Sequence, residues 1–101
     1  MGDSIYKYPL KFKENEVHGG MEATVDVPSP AKFVDVQLQR DQPVAWFEVD
    51  PSENIFVKRT FILWGTGWPR HGDNMWKRQL NYRKTVQNAF GLVFHIYSEY
   101  F

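Results

Sequence analysis

Apolar and polar residues alternate with a period of two over seven stretches of this chain, the pattern of half-buried strands. The cleanest stretch is 31–40, AKFVDVQLQR, where Val34, Val36 and Leu38 fall on one side and Asp35, Gln37 and Gln39 on the other. Upstream, 5–12 (IYKYPLKF) alternates apolar with basic residues. Pro9 has no N–H to give to a ladder and so assigns that stretch to an edge or a bend. Residues 21–27 (MEATVDV) alternate more loosely, and Pro28-Ser29-Pro30 then ends the strand in a tight turn. Residues 44–49 (VAWFEV) return from a hairpin closed by Asp41, Gln42 and Pro43, and a turn cluster at 50–54 leads into 55–64. There Val57, Phe61 and Leu63 oppose Thr60, Ile62 and Trp64, and apolar residues on both sides over 61–64 predict a central strand covered on each face. The last two strands are 80–87 and 92–101, joined by a turn at 88–91. Strands this short, with turn signals every ~8–12 residues, predict a mostly β protein. The expected fold is a single small antiparallel β-sandwich or a partly open barrel of six to seven strands.

Residues 65–79 break the pattern. They are too polar for the core and too many for a hairpin loop, and loops longer than ~12–15 residues without structure of their own are usually functional or mobile. One short helix in or near 74–79, capped by Asp73 or Asn74, is compatible with the residues there. The 101 residues form one domain, 1–101, whose 43% hydrophobic and 17% aromatic content is enough for a core of its own. The absence of cysteine excludes disulfides, thiolate zinc sites and a cysteine nucleophile. No apolar run has the length of a signal peptide or a membrane span, so the expected location is the cytoplasm.

Net charge is zero but unevenly placed: 1–50 holds five basic and nine acidic side chains, whereas 51–101 holds seven basic and three acidic. All seven of those basic groups lie between Lys58 and Lys84, against Asp73 alone. Pairing of strands from the two halves would neutralise this polarity. A basic face that meets an anion or an acidic partner would exploit it.

Catalytic chemistry is hard to place. The three histidines lack ligand spacing, and His71 with Asp73 offers a metal two ligands where three or four are needed. His95 sits among apolar residues and reads as a hydrogen-bonded side chain, either core or half-buried. Glu48 and Asp50 form the one close carboxylate pair, at a solvated edge, and no serine has a nucleophile-elbow context. Gly65-Thr66-Gly67 lacks the Gly-Lys-Ser/Thr ending of a phosphate loop and serves as a strand exit. No metal or cofactor is called for. The better candidate is a basic and aromatic surface. Arg70, Lys77, Arg78, Arg83 and Lys84 can pair with oxyanions, with His71 beside them, while Trp68, Trp76 and Tyr82 can stack on a base or fill a partner's pocket. The competing assignment makes Trp64 and Trp76 core and the charges merely solubilising.

The stretches IYKYPL, AKFVDVQLQ, PVAWFEVD, FILWGTG and KTVQNAFGLVFHIYSEY occur in an order that resembles a small uncharacterised family of phage and bacterial proteins. The resemblance spans most of the chain and implies provenance more than mechanism. The chain departs from that family's pattern at Trp68, where relatives carry His, and in a longer insert at 70–80. Together these residues lead to an expected function: a non-enzymatic, phage-type accessory protein that binds and modulates a host protein, such as a defence component. Its contacts would be Trp68, Arg70, His71, Trp76, Lys77, Arg78, Arg83 and Lys84. Sequestration of a small anionic ligand such as a nucleotide is the alternative, and nucleic-acid binding the third, disfavoured by the zero net charge. Two copies could pair through an edge strand, for which 92–101 is better suited than the Pro9 strand.

Overall fold

A computed structural model describes residues 4–14, 19–68 and 79–101. These form eight strands: β1 (Ser4–Pro9), β2 (Lys13–Glu14), β3 (Met21–Pro28), β4 (Ala31–Gln39), β5 (Gln42–Val49), β6 (Phe56–Gly65), β7 (Leu80–Gln87) and β8 (Val93–Glu99). They build two antiparallel sheets, a three-stranded one in the order β1-β5-β4 and a five-stranded one in the order β2-β3-β6-β8-β7. The expected sandwich is therefore present and the barrel is not closed. The extra strand is the two-residue β2, just past the first alternating stretch: the chain leaves the small sheet after Pro9 and pairs with the large one from Lys13.

The alternation places the core between the sheets. Ala45, Phe47 and Val49 of β5 face Phe61 and Leu63 of β6 and Ile96 of β8, and all six are buried. Phe33, Phe47, Phe61 and Phe101 form an aromatic group with centroids 5.6–6.3 Å apart, largely edge-on, the arrangement ring quadrupoles favour. As expected, β6 is buried on both faces. Its second face carries Ile62 and Trp64 in a smaller cluster with Leu80 and Tyr97.

Three details differ from the sequence reading. The β4–β5 hairpin turns on Arg40 and Asp41, both at positive φ (49° and 64°), so Gln42 and Pro43 already belong to β5. This is the two-residue geometry whose twist matches the flanking strands. Second, β4 is bulged between Phe33 and Asp35: Phe33 pairs with Phe47 and Asp35 with Trp46, which leaves Val34 extra and 47% exposed. Phe33 takes the inward place that simple alternation gives to Val34. Third, β8 lies between β6 and β7, so residues 92–101 offer no free edge for pairing with a second copy.

The position of β8 also explains the long connection. Both β6 and β7 run antiparallel to β8 and hence parallel to each other. Gly65 pairs with Phe94 at the start of β8, whereas Leu80 pairs with Glu99 at its end. A link between those points must make up the length of the strand, which no hairpin loop can do.

Candidate functional site

The two sheets meet along a seam between β4 and β7. Here β7 has its own bulge, between Tyr82 and Lys84, next to the bulge of β4. The seam is made by side chains. The Lys84 Nζ lies 3.0 Å from a carboxylate oxygen of Asp35, and both groups are about one-third exposed. Burial resists ionisation of Asp35, but hydrogen bonds from Lys84 and Gln37 and from the Val36 N–H outweigh it and hold the carboxyl below its ordinary range. Arg83, the bulge residue, turns inward. Its Nε donates to Ser98 Oγ (2.8 Å), its Nη2 donates to the Phe101 carbonyl (2.8 Å), and its guanidinium stacks 4.4 Å from the Phe33 centroid. Burial lowers its pKa from the usual arginine value. Of the candidate cations, then, Arg83 is engaged in the interior and Lys84 in the seam. Arg70, His71, Trp76, Lys77 and Arg78 lie outside the described residues, as does the helix expected near 74–79 except for Gln79, which is non-helical.

Trp68 is placed, and glycine is the reason. Its indole lies over Gly65, where a Cβ would stand 2.3 Å from the ring. It meets Phe94 edge-on at 6.0 Å and remains 38% exposed. Trp64, on the other face of β6, lies over Gly20 in the same way (2.4 Å to a built Cβ) and donates its Nε1–H to the Trp68 carbonyl at 3.2 Å. One tryptophan thus fixes the backbone of the other.

On the outer face of the large sheet four side chains form a hydrogen-bonded row that sequence reading did not assemble. Tyr82 OH is 2.6 Å from Thr85 Oγ1, which is 3.0 Å from His95 Nδ1, and His95 Nε2 is 2.7 Å from Thr66 Oγ1. His95 is half-buried and hydrogen-bonded, in line with its sequence reading, and its partner Thr66 comes from the strand-exit turn. Thr85 opposes His95 and Tyr82 opposes Tyr97 because the bulge at Arg83 brings both onto one face. Tyr82 is 57% exposed and packs edge-on against Tyr97 at 5.7 Å. The row presents hydroxyls and aromatic edges to solvent between Trp68 and the start of β7. Its chemistry is recognition by hydrogen bonding and stacking.

Among the described residues no His, Asp and Glu side chains group closely enough to hold a metal ion, and no helix is long and apolar enough to cross a membrane. Two concavities open at the ends of the sandwich. One, of about 400 Å³, is lined mainly by apolar residues, among them Phe12, Met21, Leu63 and Phe94. The other, of about 490 Å³, lies at the opposite end beside Lys58, Arg59 and Tyr100.

Fold and surface together define a small two-sheet β-sandwich domain with an aromatic, hydroxyl-rich outer face and a long crossover connection. The chain belongs to the family described as a domain of unknown function, DUF7352, which matches residues 1–101. No curated protein and no solved structure matches it.

Proposed function

We propose that this domain is a non-enzymatic binding module whose contact surface is the outer face of the large sheet together with Trp68 at the adjoining end of the sandwich, around the ends of the β6–β7 connection. The observation that carries this reading is the exposure of large aromatic side chains on a rigid base. Tyr82 is held by Tyr97 and Thr85, and Trp68 by Gly65, Phe94 and the Trp64 hydrogen bond. Aromatic groups whose rotamers are already fixed give contact area at little entropic cost, and Trp, Tyr and Arg dominate interface hot spots. In the sequence, Arg70, Trp76, Lys77 and Arg78 fall between these two anchors. A protein partner with an acidic surface fits that composition. The resemblance to phage and bacterial proteins makes a host factor the natural candidate, and the domain would act by occupying it.

The test is affinity capture from host lysate with tagged domain, comparing the wild type with a Trp68→Ala, Tyr82→Ala double variant. A second variant, Ile5→Ala with Lys32→Ala, alters the outer face of the small sheet. A protein retained by wild type and the second variant and lost with the first supports the reading. Equal retention by all three overturns it.

A further inference from the structure

The cavity beside Lys58 contains a cation, Arg59, that the described residues satisfy only in part. Arg59 lies on β6 in phase with Val57, Phe61 and Leu63, so its side chain enters the end of the sandwich and not the solvent. Its guanidinium stands 4.9 Å from the Phe101 centroid. Its Nη1 reaches the Lys58 carbonyl at 3.4 Å, a long contact, and its Nε is buried with no hydrogen-bond partner among the described residues. Arg83 offers the comparison. It stacks on the same ring at 4.9 Å, yet its Nε and Nη2 have good acceptors in Ser98 and Phe101. Lys58 has its own counter-ion, Asp26 at 3.1 Å, whereas no acidic side chain among the described residues pairs with Arg59. A buried guanidinium N–H left without an acceptor calls for an explanation, and an absent anion is one that the charge itself suggests.

The space next to it has the size and lining such an anion needs. About 490 Å³ is open beside Arg59, within the range of small-molecule sites. Lys58 adds a second cation, Thr60 and Gln79 add hydrogen-bonding groups, and Leu80 and the 77% exposed Tyr100 add apolar and stacking surface. Glu99 also lines the cavity and weighs against more than one phosphoryl group. We propose that this cavity binds a small aromatic phosphate, of the size and charge of a nucleoside monophosphate. The phosphoryl oxygens accept from Arg59 and Lys58, and the ring lies against Tyr100 and Leu80. Arginine's planar fork suits the oxygens of a phosphate, and an aromatic face suits any base, so the cavity selects for phosphate and ring more than for base identity. The cavity adjoins the aromatic face of the large sheet, since Leu80 packs there with Ile62, Trp64 and Tyr97, but the proposal rests on Arg59 and not on Trp68 or Tyr82.

Thermal unfolding at constant ionic strength tests this, with AMP, UMP, adenosine, inorganic phosphate and benzoate as probes. Wild type is compared with Arg59→Met, which keeps the stem against Phe101 and removes the charge. AMP and UMP are expected to raise the wild-type Tm with the logarithm of their concentration above the dissociation constant, by roughly 5–10 °C at ten times that constant. Adenosine is expected to do nothing and inorganic phosphate to act weakly. Arg59→Met should fold, with a Tm in anion-free buffer no lower than wild type, and should not respond to AMP. The proposal is overturned if the nucleotides shift wild type no more than sodium chloride does or if Arg59→Met keeps the AMP response. It also fails if benzoate matches AMP, or if Arg59→Met is clearly destabilised without anion, which would make Arg59 a structural residue.

Discussion

Replacing Gly20 by alanine measures directly how Trp64 is held. Gly20 has φ +68°, a left-handed conformation that costs an L-residue roughly 1–2 kcal/mol. Its added Cβ would stand 2.4 Å and 2.7 Å from two carbons of the Trp64 ring and 3.0 Å from the Leu63 carbonyl oxygen. Trp64 is 6% exposed and cannot swing into solvent, so the ring and the strand must shift, and overpacking of that kind costs about 1–3 kcal/mol. The total is about 2–5 kcal/mol, a large part of the ~5–15 kcal/mol that stabilises a domain of this size. Gly67 supplies the control, because its φ is +84° and a Cβ there meets nothing within 4 Å. Gly67→Ala should therefore show the backbone cost alone. Urea unfolding followed by tryptophan fluorescence gives both values, and their difference isolates the indole contact. Repeating Gly20→Ala in a Trp64→Leu background should bring its cost down towards that of Gly67→Ala, leaving only the tight contact with the Leu63 carbonyl oxygen. If Gly20→Ala costs no more than Gly67→Ala in the parent chain, Trp64 does not rest on Gly20 and the geometry that positions Trp68 is wrong.

Other substitutions probe the seam. Arg83→Met leaves the fully buried Ser98 hydroxyl and the Phe101 carbonyl without their donor and should cost about 1–3 kcal/mol in urea unfolding; Arg83→Lys, which lacks the fork, should not restore it. Asp35→Asn removes the charge that Lys84 faces, and about 0.5–1 kcal/mol is expected at neutral pH after discounting for its partial exposure. Because the folded-state pKa of Asp35 is depressed, its contribution is present above the unfolded carboxylate value of ~3.9 and is lost as pH falls through the folded value. Wild type and Asp35→Asn should therefore converge in stability at low pH, and a gap that persists there would contradict an ionic origin.

Much of the fold could be read from the sequence because period-two alternation is strong in β4, β6 and β8 and a strand has few ways to bury such a face. Alternation identifies a strand and its inner face but not its neighbours. That is why β8 passed for an edge although it lies inside the larger sheet. A bulge is equally silent: adding one residue reverses the phase without altering composition, so Val34 was given the place that Phe33 holds. The Arg40–Asp41 turn is hard to read because arginine is not a typical left-handed turn former, although aspartate tolerates that conformation, and Pro43 is the louder signal. Arg59 carried a usable sign, being the one charged residue in phase with Val57, Phe61 and Leu63. The Tyr82–Thr85–His95–Thr66 row had none. Its members come from two strands and a turn, and only the register brings them together.

Site-specific photocrosslinking tests the proposed contact surface most directly. A photoreactive phenylalanine derivative would replace Tyr82 in one variant and Ile5, 59% exposed on the outer face of the small sheet, in another. After irradiation in host cells, a discrete protein adduct from the Tyr82 position and none from the Ile5 position is expected. An adduct from Ile5 alone, or the same adducts from both, would contradict the assignment of the large sheet's outer face as the binding surface.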